Sequence, residues 1–179
     1  MPVSACSSVV DKDILIYSRK SLLQRRNNTH TATVRWKNQG PDFLARRYTR
    51  EHTLHFDGGA TIPGSPSPQI VPAPWSNPAG VDPEETFIAS VSSCHMLWFL
   101  HVACDAGFLP ESYDDAAEGI MTKNERGVPW ISQITLHPTI VWGGEKHPTA
   151  IEVAHLHHLA HEQCFIANSI KTDVIVEPM

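Results

Sequence analysis

The segment that most constrains the fold is a long apolar stretch in the middle of the chain, F-I-A-S-V-S-S-C-H-M-L-W-F-L-H-V-A-C (87–104). It follows Asp82, Pro83 and Glu85, which fit the N-cap, N1 and N3 positions of a helix. Gly107 and Pro110 indicate where that helix ends. Because apolar residues occur on nearly every side, we expect a central helix that is buried all round.

The rest of the chain predicts strands around a second helix. Alternating patterns favour strands at 31–37 and 48–57, a hairpin over 113–142 and a last strand at 172–177. Thr149 and Glu152 form a capping-box pattern, which starts a helix that runs to about Cys164. The proline-rich segment 61–80 is expected to be an extended loop without regular structure. This order of elements predicts an α+β fold with a mostly antiparallel sheet packed on two long helices.

Length and composition fit one domain, residues 29–179, preceded by an N-terminal extension, residues 1–28. The net charge of −5 argues against a broad nucleic-acid surface. No run of 18 apolar residues is present, which argues against a membrane span, and the N-terminus lacks a secretory signal pattern. Four cysteines are too few for a disulfide scaffold, so we expect a cytoplasmic protein with reduced thiols.

Three of the four cysteines, Cys94, Cys104 and Cys164, lie on the predicted helices, and Cys94 and Cys164 are the candidates for a reactive pair. A thiol that attacks a peroxide must be a thiolate, and a nearby positive charge is needed to stabilise it. A second thiol is needed to capture the resulting sulfenic acid as a disulfide. Two helices packed on one sheet could bring both sulfurs together, although free cysteines often only fill space in a core. We expect Cys104 to be such a core residue and Cys6 to have no role.

Three arginines, Arg46, Arg47 and Arg50, lie in the region where the family resemblance given below implies a catalytic arginine. With a period of two, Arg50 shares a strand face with Leu54 and Phe56, and these apolar residues mark the face as inward. An inward guanidinium needs an acidic partner. Arg50 therefore ranks first and Arg47 second. Arg47 points outward if the strand extends that far, and remains eligible if it lies in a loop.

The segments D-P-E-E-T-F-I-A-S-V-S-S-C-H and, about 70 residues later, A-H-E-Q-C-F-I-A-N-S resemble the cysteine motifs of the OsmC/Ohr family, the osmotically inducible and organic hydroperoxide resistance proteins. Y-T-R-E-H-T-L-H-F-D-G-G and S-N-P-A-G-V-D-P-E-E resemble its OsmC-like branch, and the similarity covers about residues 30–177. The resemblance implies the family's α+β fold and an intertwined homodimer with active sites at the subunit interface. It also implies reduction of organic hydroperoxides or hydrogen peroxide, with no cofactor.

The resemblance also assigns roles to individual residues. It makes Cys94 the peroxidatic cysteine, Cys164 the resolving cysteine, and Glu84 the acidic partner of the catalytic arginine. An external dithiol would then reduce the Cys94–Cys164 disulfide. The chain departs from the pattern after Cys164, where Phe165 and Ile166 replace a continuation that contains proline. The aromatic residues expected to line an apolar substrate pocket are Trp75, Phe87 and Trp98.

Helix geometry places a condition on this site. In one continuous helix, Glu84 and Cys94 would be about 15 Å apart along the axis. Either the helix breaks near Ser92 and Ser93, or Glu84 serves the cysteine of a second subunit. The helix dipole fades within the first turn, so arginine must supply most of the charge that stabilises a Cys94 thiolate.

Three other functions compete with the peroxidase prediction. Histidines crowd the second helix beside Cys164, and histidine and cysteine are natural zinc ligands. The histidines in this cluster are His155, His157, His158 and His161. A cysteine hydrolase could use Cys94 with His95 or His52, although adjacent helical residues point about 100° apart. The chain could also be a non-catalytic dimer that keeps the fold.

Overall fold

The computed structural model describes residues 29–179, and the predicted extension, 1–28, lies outside the described residues. The predicted α+β fold is confirmed, and Thr33–Met179 form one compact unit. The helices are α1 (Pro83–Asp105) and α2 (Ala150–Gln163). The strands are β1 (Ala32–Arg35), β2 (His52–Phe56), β3 (Thr61–Gly64), β4 (Leu109–Asp115), β5 (Glu118–Lys123), β6 (Pro129–Leu136), β7 (Pro138–Gly143) and β8 (Asp173–Val176).

The first three strands form their own sheet, in the order β1-β2-β3. Strands β2 and β3 are antiparallel, with His52 opposite Gly64. The prediction that 61–80 contains no regular structure is therefore wrong at its start. Strand β3 lies at a sheet edge, where Pro63 is tolerated because an edge strand does not need every N–H group. Strand β2 begins at His52 and not at Tyr48, so Arg50 lies just before the strand.

Helix α1 is continuous, and its N-terminus has the predicted capping box. The Asp82 carboxylate accepts the Glu85 N–H at 2.7 Å, and the Glu85 carboxylate accepts the Asp82 N–H at 3.0 Å. The helix ends as predicted before Gly107, whose φ of 73° favours glycine. The continuity of α1 excludes the predicted alternative of a break near Ser92 and Ser93.

A single stripe of α1 is buried within the described chain. Its members are Val91, His95, Phe99 and Ala103. Within a single chain, the prediction that α1 is buried on all sides is therefore wrong, since Leu97, for example, is 61% exposed. An 18-residue window of α1 has a mean hydropathy of 1.5 and is 22% buried. By length and composition α1 could cross a membrane, although core helices of soluble proteins pass the same test. The absence of a run of 18 apolar residues is therefore not sufficient to argue against a membrane span.

The predicted hairpin over 113–142 is confirmed, but it is divided into two paired segments. Strands β5 and β6 are antiparallel near the turn, and β4 and β7 are antiparallel farther from it. Asp115, at the end of β4, connects the hairpin to α1 at the point where the two paired segments meet. Its carboxylate accepts the backbone N–H of His137 at 2.7 Å and the hydroxyl of Ser92. The hairpin therefore holds α1 at the turn that precedes Cys94.

Helix α2 begins with the predicted capping box at Thr149 and packs against α1. Phe99 and Ala103 of α1 form a buried cluster with Leu156 and Ala160 of α2. Strand β8 follows α2 and pairs with β6 in parallel. The contact between the two helices brings the middle of α1 to the end of α2, where the two predicted reactive cysteines lie.

Candidate active site

Cys94 lies on α1, and its side chain is half-buried. It opens onto a groove of about 280 Å³, close to the lower end of the volumes usual for small-molecule sites. The other residues that line the groove are Leu97, Trp98, His101 and Phe165. The first three follow Cys94 at helical spacing, so they share its face of α1.

Trp98 forms the centre of the groove. Its ring contacts Phe165 edge-on, with centroids 5.5 Å apart, and contacts His101 in the same way at 5.5 Å. The prediction that Trp98 lines a pocket at Cys94 is confirmed. Phe87 packs in the core instead, and Trp75 is not among the residues that line the groove. Sequence reasoning missed Leu97 and His101, which their three- and seven-residue spacing from Cys94 could have revealed.

Cys164 ends α2 and is fully buried. Its sulfur accepts the backbone N–H of Ala167 at 3.5 Å. Burial is the largest cause that raises the pKa of the Cys164 thiol to about 11. A hydrogen bond with Cys94 and the charge of Cys94 raise this pKa further, whereas the Ala167 N–H opposes the rise. Cys164 therefore stays protonated at neutral pH, and its S–H can donate to the Cys94 sulfur. The sequence alone could not show this contact.

His95 and His157 form a buried pair between the same two helices. Their Nε2 and Nδ1 atoms, respectively, are 3.0 Å apart, and their rings are stacked with centroids 5.3 Å apart. The side chains are 1% and 3% exposed, and burial is the main cause that lowers both imidazole pKa values to about 4. Both rings are therefore neutral at neutral pH, and one donates to the other. No sequence signal predicted this pair.

The predicted arginine and glutamate do not meet within the described chain. Arg50 lines a separate groove, where its guanidinium stacks on the Tyr48 ring at 4.1 Å and donates to the Tyr48 carbonyl at 3.1 Å. Arg47 is exposed and Glu84 is half-buried. The ion pairs found within residues 29–179 involve none of these three side chains.

The histidine cluster of α2 is divided between core and surface. His157 is buried against His95, whereas His155 is exposed and His158 is within 3.4 Å of Glu162. Within the described part of the chain, no group of three or more His, Cys, Asp or Glu residues is placed to hold a metal ion. The alternative of a metal site at Cys164 therefore has no ligand set in residues 29–179.

The two histidines predicted as the base of a cysteine hydrolase, His95 and His52, do not serve Cys94 in the described chain. The imidazole of His95 turns into the core and bonds to His157, so it does not face the Cys94 groove. His52 lies in the first sheet, where its Nδ1 is 2.9 Å from the carbonyl of Arg50. Neither histidine is positioned to take a proton from Cys94.

Two helices that hold a pair of contacting thiols against an antiparallel hairpin define a class of α+β protein with a dithiol site. A family model described as OsmC-like protein matches residues 76–178, more than half of the chain. The chain therefore belongs to the OsmC-like family, and α1 is the long helix of its OsmC-like fold.

Solved structures agree with this assignment. An OsmC-like protein of unknown function from Vibrio cholerae is 46% identical, with a TM-score of 0.82, and the match covers 85% of this chain and 99% of that one. An organic hydroperoxide resistance protein OsmC from Legionella pneumophila is 18% identical, with a TM-score of 0.62 and coverage of 85% and 96%. The organic hydroperoxide resistance protein OhrB of Bacillus subtilis is 19% identical, with a TM-score of 0.58 and coverage of 84% and 98%. These last two share the fold at low identity. No curated protein matches the sequence.

Proposed function

We propose that this protein is a thiol-dependent peroxidase that reduces organic hydroperoxides through Cys94 and Cys164. The observation that supports it most is the closeness of the two thiols beside an apolar groove, where Cys94 raises the pKa of the Cys164 thiol. The two thiols differ in exposure, as the proposed reaction with a peroxide requires. Cys94 is reachable from the groove, whereas Cys164 is buried behind it, so a peroxide would meet Cys94 first.

The proposed reaction has three steps. The Cys94 thiolate attacks the distal peroxide oxygen, an S–O bond forms, the O–O bond breaks, and the departing alkoxide takes up a proton to leave as alcohol. Cys164 then attacks the sulfur of the Cys94 sulfenic acid, an S–S bond forms, and the hydroxyl group leaves with the Cys164 proton as water. An external dithiol reduces this disulfide and is itself oxidised.

The groove favours an organic peroxide over hydrogen peroxide. Its walls are largely apolar and include the rings of Trp98 and Phe165. An alkyl or aryl group placed against these rings would remove apolar surface from water, which stabilises the complex by about 25 cal/mol for each Å². Hydrogen peroxide carries no such group. We therefore expect cumene hydroperoxide to react with a higher kcat/KM than hydrogen peroxide.

A second copy of the chain would complete the proposed site. Because α1 is continuous, Glu84 is about 15 Å along the axis from Cys94 and cannot serve the same peroxide. Glu84 has no ion pair within the described chain, and Arg50 has no carboxylate partner there. We propose a homodimer in which Glu84 and Arg50 of one copy both reach Cys94 of the other copy, with Arg47 as the second candidate for the arginine. The guanidinium would stabilise the thiolate and position the peroxide oxygens.

Exposed apolar surface supports this dimer. Leu97 on α1 is 61% exposed, and Val34 on β1 is 62% exposed. The connection between β1 and β2 also exposes the rings of Trp36 and Phe43 beside Arg50. Apolar surface of this kind marks interaction sites when it is contiguous. A second copy would cover this apolar surface, and the same contact would place Arg50 of one copy beside Cys94 of the other.

The proposed cycle needs a compartment that supplies reduced dithiols. Cytosolic glutathione and thioredoxin systems keep thiols reduced, whereas secreted proteins meet oxidising conditions. We therefore place the protein in the cytoplasm, with a small or protein-borne dithiol as its reductant.

The test is a thiol map after treatment with one equivalent of cumene hydroperoxide. We expect mass spectrometry to show a Cys94–Cys164 disulfide in the wild type and none in Cys94→Ser. Cys104→Ser is the matched control and should keep the disulfide. The prediction that Cys104 is a core residue is wrong, because Cys104 is exposed on the same helix. Absence of reaction at Cys94 with cumene hydroperoxide and with hydrogen peroxide would refute the proposal.

A mixing experiment tests the shared site. Cys94→Ser and Arg50→Ala should each be inactive as homodimers. Subunits mixed after reversible unfolding should regain up to about a quarter of wild-type activity, because half of the dimers are then mixed and each mixed dimer has one complete site. No recovery, with mixed dimers demonstrated by mass, would contradict a site shared between copies.

A further inference from the structure

The buried His95–His157 pair joins the two helices that carry the reactive cysteines. Each helix contributes one cysteine and one histidine, so α1 and α2 meet at two polar contacts. Cys94 and His95 are consecutive on α1, whereas His157 and Cys164 are seven residues apart on α2, about 10 Å along its axis. Two separated contacts define the rotation of α2 about α1 more closely than the apolar cluster between the helices does alone.

Burial of this pair lowers the free energy of unfolding relative to apolar side chains, because polar atoms lose their contact with water. His95 Nδ1 and His157 Nε2 have no hydrogen-bond partner within the described residues. The neighbouring core is apolar, and Phe99 stacks on the His157 ring with centroids 4.3 Å apart. Two apolar residues could fill this space without unpartnered nitrogens. The hydrogen bond adds a defined distance and direction between the helices, which apolar contacts do not supply.

We infer that His95 and His157 are positioning residues that hold Cys164 against Cys94, so that the Cys94 sulfenic acid closes to the disulfide before a second peroxide reaches it. This inference rests on the proposed peroxidase function. In the competing reaction, the sulfenate of Cys94 attacks a second hydroperoxide, a second S–O bond forms, the O–O bond breaks and an alcohol leaves. The product is a sulfinic acid, which a dithiol does not reduce. The position of Cys164 therefore decides between turnover and inactivation.

The pair performs this role in its neutral form. A neutral imidazole both donates and accepts, whereas two imidazolium rings would repel each other and neither could accept. The charged groups that act on His95 are His161 of α2, which lowers its pKa, and Asp115 of β4, which opposes that effect. Burial lowers the pKa more than His161 does, so both rings stay neutral at the pH of the assay below.

The experiment compares two substitutions at one position, at pH 7. His157→Phe keeps a ring against Phe99 but removes the hydrogen bond. His157→Asn places an amide near the position of Nδ1 and can restore the bond to His95. His155→Phe, on the exposed side of α2, is the matched control. Each protein receives excess cumene hydroperoxide, and mass spectrometry follows dimedone-trapped sulfenic acid, disulfide and sulfinic acid over time.

We expect His157→Phe to form sulfenic acid at the wild-type rate but to close the disulfide about tenfold more slowly, the size of effect expected from one buried hydrogen bond. Cys94 sulfinic acid should then accumulate. His157→Asn should recover most of the closure rate, and His155→Phe should match the wild type. A role in core packing alone predicts the opposite order, because phenylalanine fills the space of the imidazole ring whereas asparagine leaves a cavity.

Other outcomes separate the two proposals. Equal disulfide closure in His157→Phe and the wild type overturns the positioning role and leaves the peroxidase intact. A wild type that forms no sulfenic acid at Cys94 overturns both. If His157→Phe does not fold, His95→Met and His95→Gln make the same comparison from α1, because the glutamine amide lies near the position of Nε2. Equal closure in those two variants also overturns the inference.

Discussion

Lowering the pH from 7 to 5 should destabilise the folded protein through the buried His95–His157 pair. Histidine in the unfolded chain takes up a proton near pH 6.5, whereas burial lowers the pKa of each of these imidazoles to about 4 in the folded state. Between these two values the unfolded state binds more protons, so the free energy of unfolding decreases as the pH falls. The stabilising contribution is fully present above pH 6.5 and is lost as the pH approaches 4.

The size of the effect follows from the two pKa values. For one imidazole, a pKa of 6.5 unfolded and about 4 folded corresponds to a loss of about 2 kcal/mol between pH 7 and pH 5. His157→Asn removes one of the two titrating rings while its amide can still bond to His95. That variant should therefore lose about 2 kcal/mol less than the wild type over the same interval. His155→Asn, an exposed position on α2, should lose as much as the wild type.

The assay is urea unfolding followed by tryptophan fluorescence at pH 7, 6 and 5, with the five tryptophans as reporters. Protein concentration is held constant, because the stability of a dimer depends on it. An equal loss of unfolding free energy in the wild type and in His157→Asn would refute the reasoning. A smaller loss in His155→Asn than in the wild type would assign the effect to surface histidines instead.

Three further predictions concern the site and its framework. In Cys164→Ser, treatment with cumene hydroperoxide should convert Cys94 to sulfinic acid without a disulfide, as mass spectrometry would show; a reversible, dithiol-sensitive product would contradict the role of Cys164. Arg50→Ala should lower kcat/KM for cumene hydroperoxide by about 100-fold, because the charge that stabilises the thiolate is lost, whereas Arg47→Ala should change it less than threefold. The reverse order in steady-state assays would assign the catalytic role to Arg47. Thr149→Ala removes the N-cap of α2 and should lower the free energy of unfolding by about 1 kcal/mol, with Thr149→Ser as the control that keeps it.

The helices were predictable because their end signals are local. Both capping boxes lie within four consecutive residues, and Gly107 ends α1 through a conformation that the residue type itself favours. The β5–β6 hairpin was predictable for the same reason, since alternation and a turn are short-range patterns. The cysteine motifs likewise indicated the family without any coordinates.

Strand β3 and the limits of β2 were not predictable in the same way. Proline argues against a strand from sequence alone, but Pro63 is accepted because β3 lies at a sheet edge. The inward face assigned to Arg50 depended on a strand that begins at residue 48, whereas β2 begins at His52. Pairing with a neighbouring strand decides both points, and periodicity carries no information about that neighbour.

The sequence by itself determined the order of elements apart from β3 and the division of the hairpin, the caps of α1 and α2, the family, and the two cysteines worth testing. The tertiary structure decided that these cysteines lie close together, that Cys94 faces an apolar groove while Cys164 is buried, and that a histidine pair joins the same helices. The physical reason is distance along the chain. Cys94 and Cys164, like His95 and His157, are more than 60 residues apart, and only the packing of α1 on α2 brings them together.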